Sequence, residues 1–402
     1  MSAIVEKLVL RRAEFSALVE NTALRGTSER DSLHTGVRIY KGGCIGVAGF
    51  TGERGFDSAL KSAKEALKNN ISSPPPDEAH RESRKSGAWP LSPAELVEET
   101  NAVCTLLSRD YPDFVFSGGM KLLRDAKELS NDAGLELSST TETLRIAIRW
   151  RKKSPENFMD GTFALESAAY NRDSLMSSLA ARLDCGITQP PQNTSLVLEL
   201  DRAEPLLGFF AMHMDGRIPS ASALALKFNK RVFSRDFSLV RAQNPQTDFN
   251  HFFDDEGCRA DGAFLIENGT PKNRLADRRS AALNKLVRTA CAQSAFDAVP
   301  DVATGESARK MLKIAGSGRT LDELLHGAAA VYAPRGYQVN FTEEGGLAII
   351  IPQAFVLQDG KFAGLLPGFK VVSDVYSVFG AKFGGVAEHE GQRCLVLSDL
   401  FG

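Results

Sequence analysis

The sequence lacks the features that mark several large classes of protein. Its formal net charge is only -2 over 402 residues, which gives no reason to expect nucleic acid or an anionic membrane surface as a partner. No apolar run approaches the roughly 20 residues that a membrane-spanning helix requires, so no membrane segment is expected. The first residues, MSAIVEKLVLRRAEF, place a pair of arginines after a very short apolar run, which is the wrong order for a secretory signal.

Cysteine is scarce and scattered. No two cysteines form a C-x-x-C pair, so the pattern predicts reduced thiols in a cytoplasmic protein rather than a disulfide framework. The six cysteines are Cys44, Cys104, Cys185, Cys258, Cys291 and Cys394.

The chain of 402 residues is longer than one hydrophobic core usually spans, so roughly two or three domains are expected. The predicted fold class is α+β, with an N-terminal mixed α/β region and a C-terminal, mainly antiparallel β domain with short helices. The predicted regions are a strand-hairpin-helix region at 1–70, a linker or mobile loop at 71–91, a second α/β region at 92–191, and a C-terminal β-rich domain at 195–402.

Strands open the chain. Residues 36–40 alternate in polarity, Lys41-Gly42-Gly43 forms a turn, and residues 44–48 return along a second strand. Apolar residues at helical spacing then predict a helix over 56–67. No G-x-G-x-x-G or Walker pattern accompanies these glycines, so we predict a tight hairpin rather than a phosphate-binding loop.

Residues 71–91 combine three consecutive prolines with a charged run, EAHRESRKSG, and show no apolar periodicity. The prolines exclude a helix, and mixed charges favour a solvated surface. We therefore expect this segment to be a linker or a mobile loop.

Helix starts are well marked further on. Ser92, Pro93 and Glu95 supply the N-cap, the first-turn proline and the capping-box glutamate of a helix. Thr320 and Glu323 open another short helix in the same way.

The stretch from Phe252 to Ala281 contains three features in a fixed order. Asp255-Glu256-Gly257 predicts a turn, and a strand centred on residues 264–266 follows it. Asn268-Gly269 is a strong hairpin signal, and the returning strand is expected to carry Leu275.

The order D-D-E-G, then L-I-E-N-G, then L-x-D-R-x-S-A resembles the signature of the TldD/PmbA family of peptide-processing zinc proteases. We call residues 252–281 the signature stretch. G-V-R-I-Y-K-G-G-x-I-G-V-A near the N-terminus and the N-D-A-G turn at 131–134 also resemble that family. Residues 283–302 depart from its pattern.

The resemblance has a consequence for metal binding. The zinc-bearing members of the family carry H-E-x-x-x-H on a short helix, where two histidines hold the metal and the glutamate acts as general base. Aligned on LLGFFAMHMDG, the first histidine corresponds to Gly208, the glutamate to Phe209, and the second histidine to His213. The family's third ligand, a cysteine near the C-terminus, corresponds to Ala387. The resemblance therefore implies no catalytic residue, no metal and no cofactor in this chain.

The expected function follows from these degenerate positions. The chain resembles a TldE/PmbA-like subunit of a heteromeric zinc metalloprotease, with the zinc and the general base in a TldD-like partner. Its substrates would be unstructured or modified peptides, bound as extended strands along a sheet edge.

Two alternatives remain open at this stage. The chain could be a stand-alone, non-catalytic peptide-binding or scaffold protein. It could also be an independent metalloenzyme that uses His213, His251, Cys258 and the acidic residues 254–256. For those acidic residues we favour turn formation and solvated carboxylates, and for His213 a hydrogen-bonded core or interface position.

Overall fold

The computed structural model describes residues 3–77, 79–154, 160–191, 194–200, 204–242 and 251–398. These residues form an α+β fold, as the sequence predicts, with one large sheet in each half of the chain and short helices packed against both. Within these ranges, no helix is both long enough and apolar enough to cross a membrane.

One sheet organises the N-terminal half. Its strands are β1 (Ile4–Glu20), β2 (Ala23–Lys41), β3 (Cys44–Thr51), β4 (Ile71–Ser72), β5 (Arg81–Gly87), β6 (Phe114–Asn131), β7 (Glu136–Lys152) and β8 (Gly161–Ser167). They pair in the order β4-β3-β2-β1-β6-β7-β5, and β8 also pairs with β7. β1 pairs with β2 on one side and with β6 on the other. Regions 1–70 and 92–191 therefore contribute strands to a single sheet, while the wider division into regions stays a prediction.

We expected the segment 71–91 to be a linker or mobile loop, but part of it forms strands. Its first two residues form β4, and Arg81–Gly87 forms β5, which runs parallel to β7 from Glu136 to Glu142. Apolar burial is absent from β5, but polar contacts replace it. Glu82 pairs with Arg84 at 2.6 Å, and the Arg84 guanidinium lies over the Phe252 ring at 4.2 Å. Backbone pairing and charge contacts hold this strand in place. Its sequence therefore shows no apolar periodicity from which the strand could be predicted.

Three helices cover parts of this sheet: α1 (Phe56–Ala66), α2 (Pro93–Asp110) and α3 (Arg172–Leu183). α2 begins with the predicted capping box, because the Ser92 hydroxyl accepts from the Glu95 amide and the Glu95 carboxylate accepts from the Ser92 amide. α1 approaches β3 closely at Gly46, where a Cβ atom would lie 2.1 Å from the Ala63 carbonyl oxygen. Only glycine permits that contact.

The C-terminal half contains thirteen further strands and five α-helices among its described residues. The strands are β9 (Ser195–Glu199), β10 (Leu239–Ala242), β11 (Asp261–Glu267), β12 (Thr270–Pro271), β13 (Ala292–Gln293), β14 (Asp301–Val302), β15 (Leu312–Ile314), β16 (Ala330–Ala333), β17 (Gln338–Phe341), β18 (Gly346–Gln358), β19 (Lys361–Asp374), β20 (Phe383–His389) and β21 (Gln392–Leu397). The helices are α4 (Gly208–His213), α5 (Arg278–Asn284), α6 (Gly305–Met311), α7 (Leu321–Leu325) and α8 (Val375–Val378).

These strands form one large sheet and two small ones. The large sheet has the order β17-β18-β16-β9-β21-β20, with β19 on β18, and only the β9–β16 pair is parallel. A four-stranded sheet has the order β12-β11-β10-β15, and β13 pairs with β14. Phenylalanine rings fill the space between the elements. Phe210, for example, packs on Phe379 at 5.1 Å and on Phe237 at 5.5 Å between ring centroids.

Candidate functional site

The helix α4 carries the positions that the sequence aligns with the zinc motif. A 3-10 turn at Pro205–Leu207 leads into it, and the Glu204 side chain caps that turn by accepting from the Leu206 amide. The Tyr337 hydroxyl donates to the same carboxylate at 2.8 Å. α4 is therefore anchored at its start and lies in the core of the C-terminal half.

Phe209 occupies the position that the sequence alignment predicts for the family's general base. Its side chain is 1% exposed, and its ring centroid lies 4.4 Å from that of His213. Phe341 and Tyr376 approach the same ring at 6.3 and 6.2 Å. A phenylalanine ring cannot accept a proton, so this position contributes packing and no acid-base chemistry.

His213 is a buried histidine whose ring is hydrogen-bonded to the backbone. Its Nδ1 accepts from the Ala223 amide at 3.2 Å, and the ring makes a further backbone hydrogen bond with Glu343. Burial lowers the pKa of His213, although the charge of Glu343 opposes that shift. The imidazole is therefore held neutral. This geometry confirms the expectation of a hydrogen-bonded core histidine.

Gly208 occupies the position that the sequence alignment predicts for the family's first histidine. A Cβ atom at this position would lie 3.1 Å from the Phe341 ring, so an imidazole here requires that ring to move. Gly208, Phe209 and His213 are thus brought together on α4, within one aromatic environment.

Ala387 lies apart from these three residues. It is on β20, pairs with Cys394 on β21, and packs with Leu321 and Leu324 of α7. Its neighbour Val386 faces the core that contains Phe209. Successive residues of a strand point to opposite faces, so Ala387 faces away from α4. Its assignment to the third-ligand position stays a prediction.

The acidic turn of the signature stretch differs from expectation, because its carboxylates are buried rather than solvated. Asp254, Asp255 and Glu256 are 3%, 7% and 1% exposed. Asp254 accepts from the amides of Glu256 and Cys258 at 2.9 Å each, and from the Ala292 amide at 3.0 Å. These three hydrogen bonds to Asp254 therefore fix the conformation of the turn.

Asp255 and Glu256 connect this turn to other parts of the chain. Asp255 forms an ion pair with Lys127 of β6 at 2.5 Å and accepts from the Ser294 amide at 2.7 Å. Glu256 accepts from the Arg278 amide at 2.7 Å, at the start of α5. The divergent segment 283–302 thus has a structural role here, since Ala292 and Ser294 donate to the turn.

A buried ionic network extends from the turn into the N-terminal sheet. Arg38 on β2 donates to the carbonyl of Asp255 and pairs with Glu6 of β1 at 3.1 Å. The Tyr40 hydroxyl donates to Glu6, and Arg278 reaches Tyr40 at 3.3 Å. Spacing and composition do not reveal this network, and its one signal in the sequence is the charged Arg38 within the apolar strand G-V-R-I-Y.

The electrostatics of the turn follow from burial and from these cations. Burial alone would raise the pKa of Asp255, but the charges of Lys127 and Arg38 lower it overall. Burial and then the charge of Asp254 raise the pKa of Glu256 to about 7.

A rearranged metal site at this turn has no support in the contacts. The carboxylates of Asp254, Asp255 and Glu256 are already engaged by backbone amides and by Lys127. His251 is buried near Phe253, and the Cys258 amide donates to Asp254. In the part of the chain that the structure describes, no three His, Cys, Asp or Glu side chains are grouped so that they could hold a metal ion.

The end of the signature stretch lies against α4. Asn268 and Gly269 have φ values of 47° and 76°, as the predicted hairpin turn requires, but β12 ends at Pro271 and does not reach Leu275. Leu275 instead bridges to Asp215, and its amide donates to the Met214 carbonyl at 2.7 Å. The two most informative parts of the sequence are therefore neighbours in space.

Comparison with known proteins agrees with this arrangement. The model of the PmbA/TldA metallopeptidase C-terminal domain matches residues 191–390, and that of PmbA/TldA metallopeptidase domain 1 matches residues 8–69. Among curated proteins, none matches the chain.

Solved structures share the fold over almost the whole chain. TldE from Thermococcus kodakarensis superposes with a TM-score of 0.76 at 16% identity, covering 98% of this chain and 96% of that one. A candidate modulator of a DNA gyrase from Thermotoga maritima gives 0.77 at 15% identity, covering 98% and 95%. A candidate modulator of DNA gyrase from Bacteroides thetaiotaomicron gives 0.71 at 12% identity, covering 98% and 93%. With two family domains matched and the signature stretch in place, the chain belongs to the TldD/PmbA family.

Proposed function

We propose that this chain is a non-catalytic, TldE-like subunit of a heteromeric zinc metalloprotease, and that a TldD-like partner supplies the zinc and the general base. The observation that carries the proposal is the chemistry of α4. Gly208 and Phe209 replace a ligand and the base, and the buried ring of His213 is hydrogen-bonded to the backbone.

The chemical requirement is strict. A catalytic zinc needs three protein ligands and an open position for water, and a carboxylate or similar group must take up a proton from that water. One neutral histidine beside a phenylalanine meets neither condition. Hydrolysis by the complex therefore has to be carried out by residues of another chain.

The proposed substrate is an unstructured or modified peptide in an extended conformation. Such a peptide can add to the edge of a sheet through its backbone, with little demand on its sequence. Strand β19 pairs only with β18 among the described strands, and beyond the bridge at Leu365 it offers an edge of this kind. The proposed compartment is the cytoplasm, which fits six cysteines that form no disulfide with one another.

The experiment is co-expression of this chain with a family member that retains H-E-x-x-x-H. Zinc per complex and cleavage of an unfolded peptide are measured for the wild type, for His213→Ala and for His80→Ala, an exposed histidine that serves as the matched control. We expect this chain alone to hydrolyse no peptide and both variants to keep the zinc content of the complex.

Three results would contradict the proposal. Stoichiometric zinc in the isolated chain, with hydrolysis that a chelator abolishes, would make it an independent metalloenzyme. Loss of zinc from the complex in His213→Ala but not in His80→Ala, with the fold intact, would make His213 a ligand. Failure to pair with any zinc-bearing relative would favour the stand-alone peptide-binding or scaffold protein.

A further inference from the structure

A cavity of about 300 Å³ lies between the N-terminal sheet and the C-terminal half of the chain. Leu10, Ala126 and Lys127 line it from β1 and β6. Arg241 and Phe253 line it from the opposite side. It is separate from α4, and neither the proposed protease role nor the family match gives it a ligand.

Arg241 is the unusual residue of this cavity. Its side chain is among the largest that are fully buried, at 1% exposure, although arginine is almost never buried without a charged partner. The guanidinium donates to the carbonyls of Ala290 and Ala242, each at 2.6 Å. Those bonds use two of its five donors and supply no negative charge.

The other charges around the cavity are already paired. Arg12 holds Asp125 at 2.5 Å, and Lys127 holds Asp255 at the same distance. Arg11, which also lines the cavity, pairs with Asp31 at 2.9 Å.

Among the described residues, none of opposite charge forms an ion pair with Arg241. Burial lowers its pKa, and the charges of Asp254 and Asp255 oppose that shift without contacting the guanidinium in an ion pair. Asp254 itself is committed to three backbone amides.

We propose that this cavity binds a small monocarboxylate, whose carboxylate pairs with Arg241 and whose apolar part packs on Leu10, Ala126 and Phe253. A planar guanidinium matches a carboxylate in two parallel hydrogen bonds. The charge count favours a single negative charge, because a phosphate dianion would need a second unpaired cation. A free small acid and the C-terminal carboxylate of a peptide share this chemistry.

The test is calorimetric titration of the purified full chain with three probes. They are an N-acetylated dipeptide ending in leucine with a free C-terminus, the same dipeptide as its C-terminal amide, and isovalerate. We expect the acid to bind at least about tenfold more tightly than the amide, as the loss of a charge-assisted bond implies. Binding of isovalerate as well identifies a free acid as sufficient, and binding of the peptide acid alone identifies a peptide C-terminus.

Two arginine variants test whether the preference for the acid over the amide depends on Arg241. Arg241→Gln should remove the preference for acid over amide. Arg393→Gln is the matched control, since Arg393 is a half-buried arginine whose pKa is likewise lowered by burial and which donates to the Ile314 carbonyl away from the cavity. It should leave the preference unchanged.

Ala126→Leu tests the same site without altering Arg241, and it serves if Arg241→Gln does not fold. The larger side chain fills the cavity and should abolish acid binding. The proposal is overturned if the wild type binds acid and amide equally or binds neither. It is also overturned if folded Arg241→Gln keeps the preference, if Ala126→Leu binds as the wild type does, or if inorganic phosphate binds as tightly as the acid.

Discussion

The ion pair between Lys127 and Asp255 should contribute strongly to stability, because it joins the N-terminal sheet to the acidic turn and is largely shielded from water. The side chains are 7% and 10% exposed, and the charged atoms lie 2.5 Å apart. Asp255→Asn keeps the shape and removes the charge, which leaves the Lys127 ammonium buried and unpaired. Removing one partner of such a pair typically costs about 3–5 kcal/mol, and we expect a loss of unfolding free energy in that range.

A double-mutant cycle separates the pair from its surroundings. Lys127→Met removes the second charge and keeps an apolar stem against the Phe253 ring, over which the ammonium lies at 4.9 Å. The double variant should be more stable than the sum of the single losses predicts, with a coupling energy of about 1–3 kcal/mol. Asp31→Asn is the control, since Asp31 pairs with Arg11 in an exposed bridge that solvent screens.

The assay is urea denaturation at pH 7 and again at lower pH. The folded-state pKa of Asp255 is lowered, so its contribution is fully present above the unfolded-state pKa of about 4 and is lost as the pH falls through the folded-state value. The difference between wild type and Asp255→Asn should therefore shrink in acid. A loss no larger than that of Asp31→Asn, strict additivity in the cycle, or a difference that grows in acid would refute the reasoning.

Three further substitutions follow from single features of the structure. Phe209→Ala should lower the unfolding free energy by about 3–5 kcal/mol in urea denaturation, because the ring is buried, whereas Phe264→Ala at a 41% exposed site should cost far less. Because the pKa of Glu256 is raised to about 7, the unfolding free energy of the wild type should fall as the pH rises from about 4.5 to 7. Relative to the wild type, the unfolding free energy of Glu256→Gln should therefore increase by about 3 kcal/mol between pH 4 and pH 8. The same difference between variant and wild type at both pH values would contradict this. Gly269→Ala should lower the melting temperature more than Gly360→Ala, because both glycines have φ near +70° but only at Gly269 does a Cβ atom meet a backbone oxygen, at 2.4 Å.

Local chemistry explains why much of the fold was predictable. The capping boxes at Ser92 and Thr320 are each satisfied by residues within three positions, so the sequence alone specifies them. The turn at Asp359-Gly360 connects β18 to β19 in the same local way. Features of this kind require no knowledge of the rest of the chain.

The acidic turn was mispredicted because its partners are remote in sequence. Arg38 reaches the Asp255 carbonyl across 217 positions, and the Lys127 ammonium reaches the Phe253 carbonyl across 126. An acidic turn without those cations would be solvated, as predicted, since isolated charges are not buried. Whether a carboxylate is buried therefore depends on tertiary pairing, which neither composition nor spacing shows.

The position of Ala387 illustrates a second limit of sequence alignment. Strands have a side-chain period of two, so an alignment error of one residue moves a side chain to the opposite face of the sheet. Val386 faces the core that contains Phe209, and Ala387 faces the cluster beside α7. A short C-terminal strand without an intact cysteine to fix the alignment cannot resolve that difference.

The aromatic packing at α4 opposes the chemistry of the zinc motif that the sequence alignment places there. Phe209→Glu would place a carboxylate beside the rings of His213, Phe341 and Tyr376, where burial raises the pKa and keeps the acid protonated. Gly208→His would bring a Cβ atom to 3.1 Å from the Phe341 ring. Each substitution introduces one residue of the zinc motif, and the surrounding aromatic rings oppose it. Neither single substitution is therefore expected to create a zinc site on α4, which is the physical reason why the proposed function places the zinc in a partner chain.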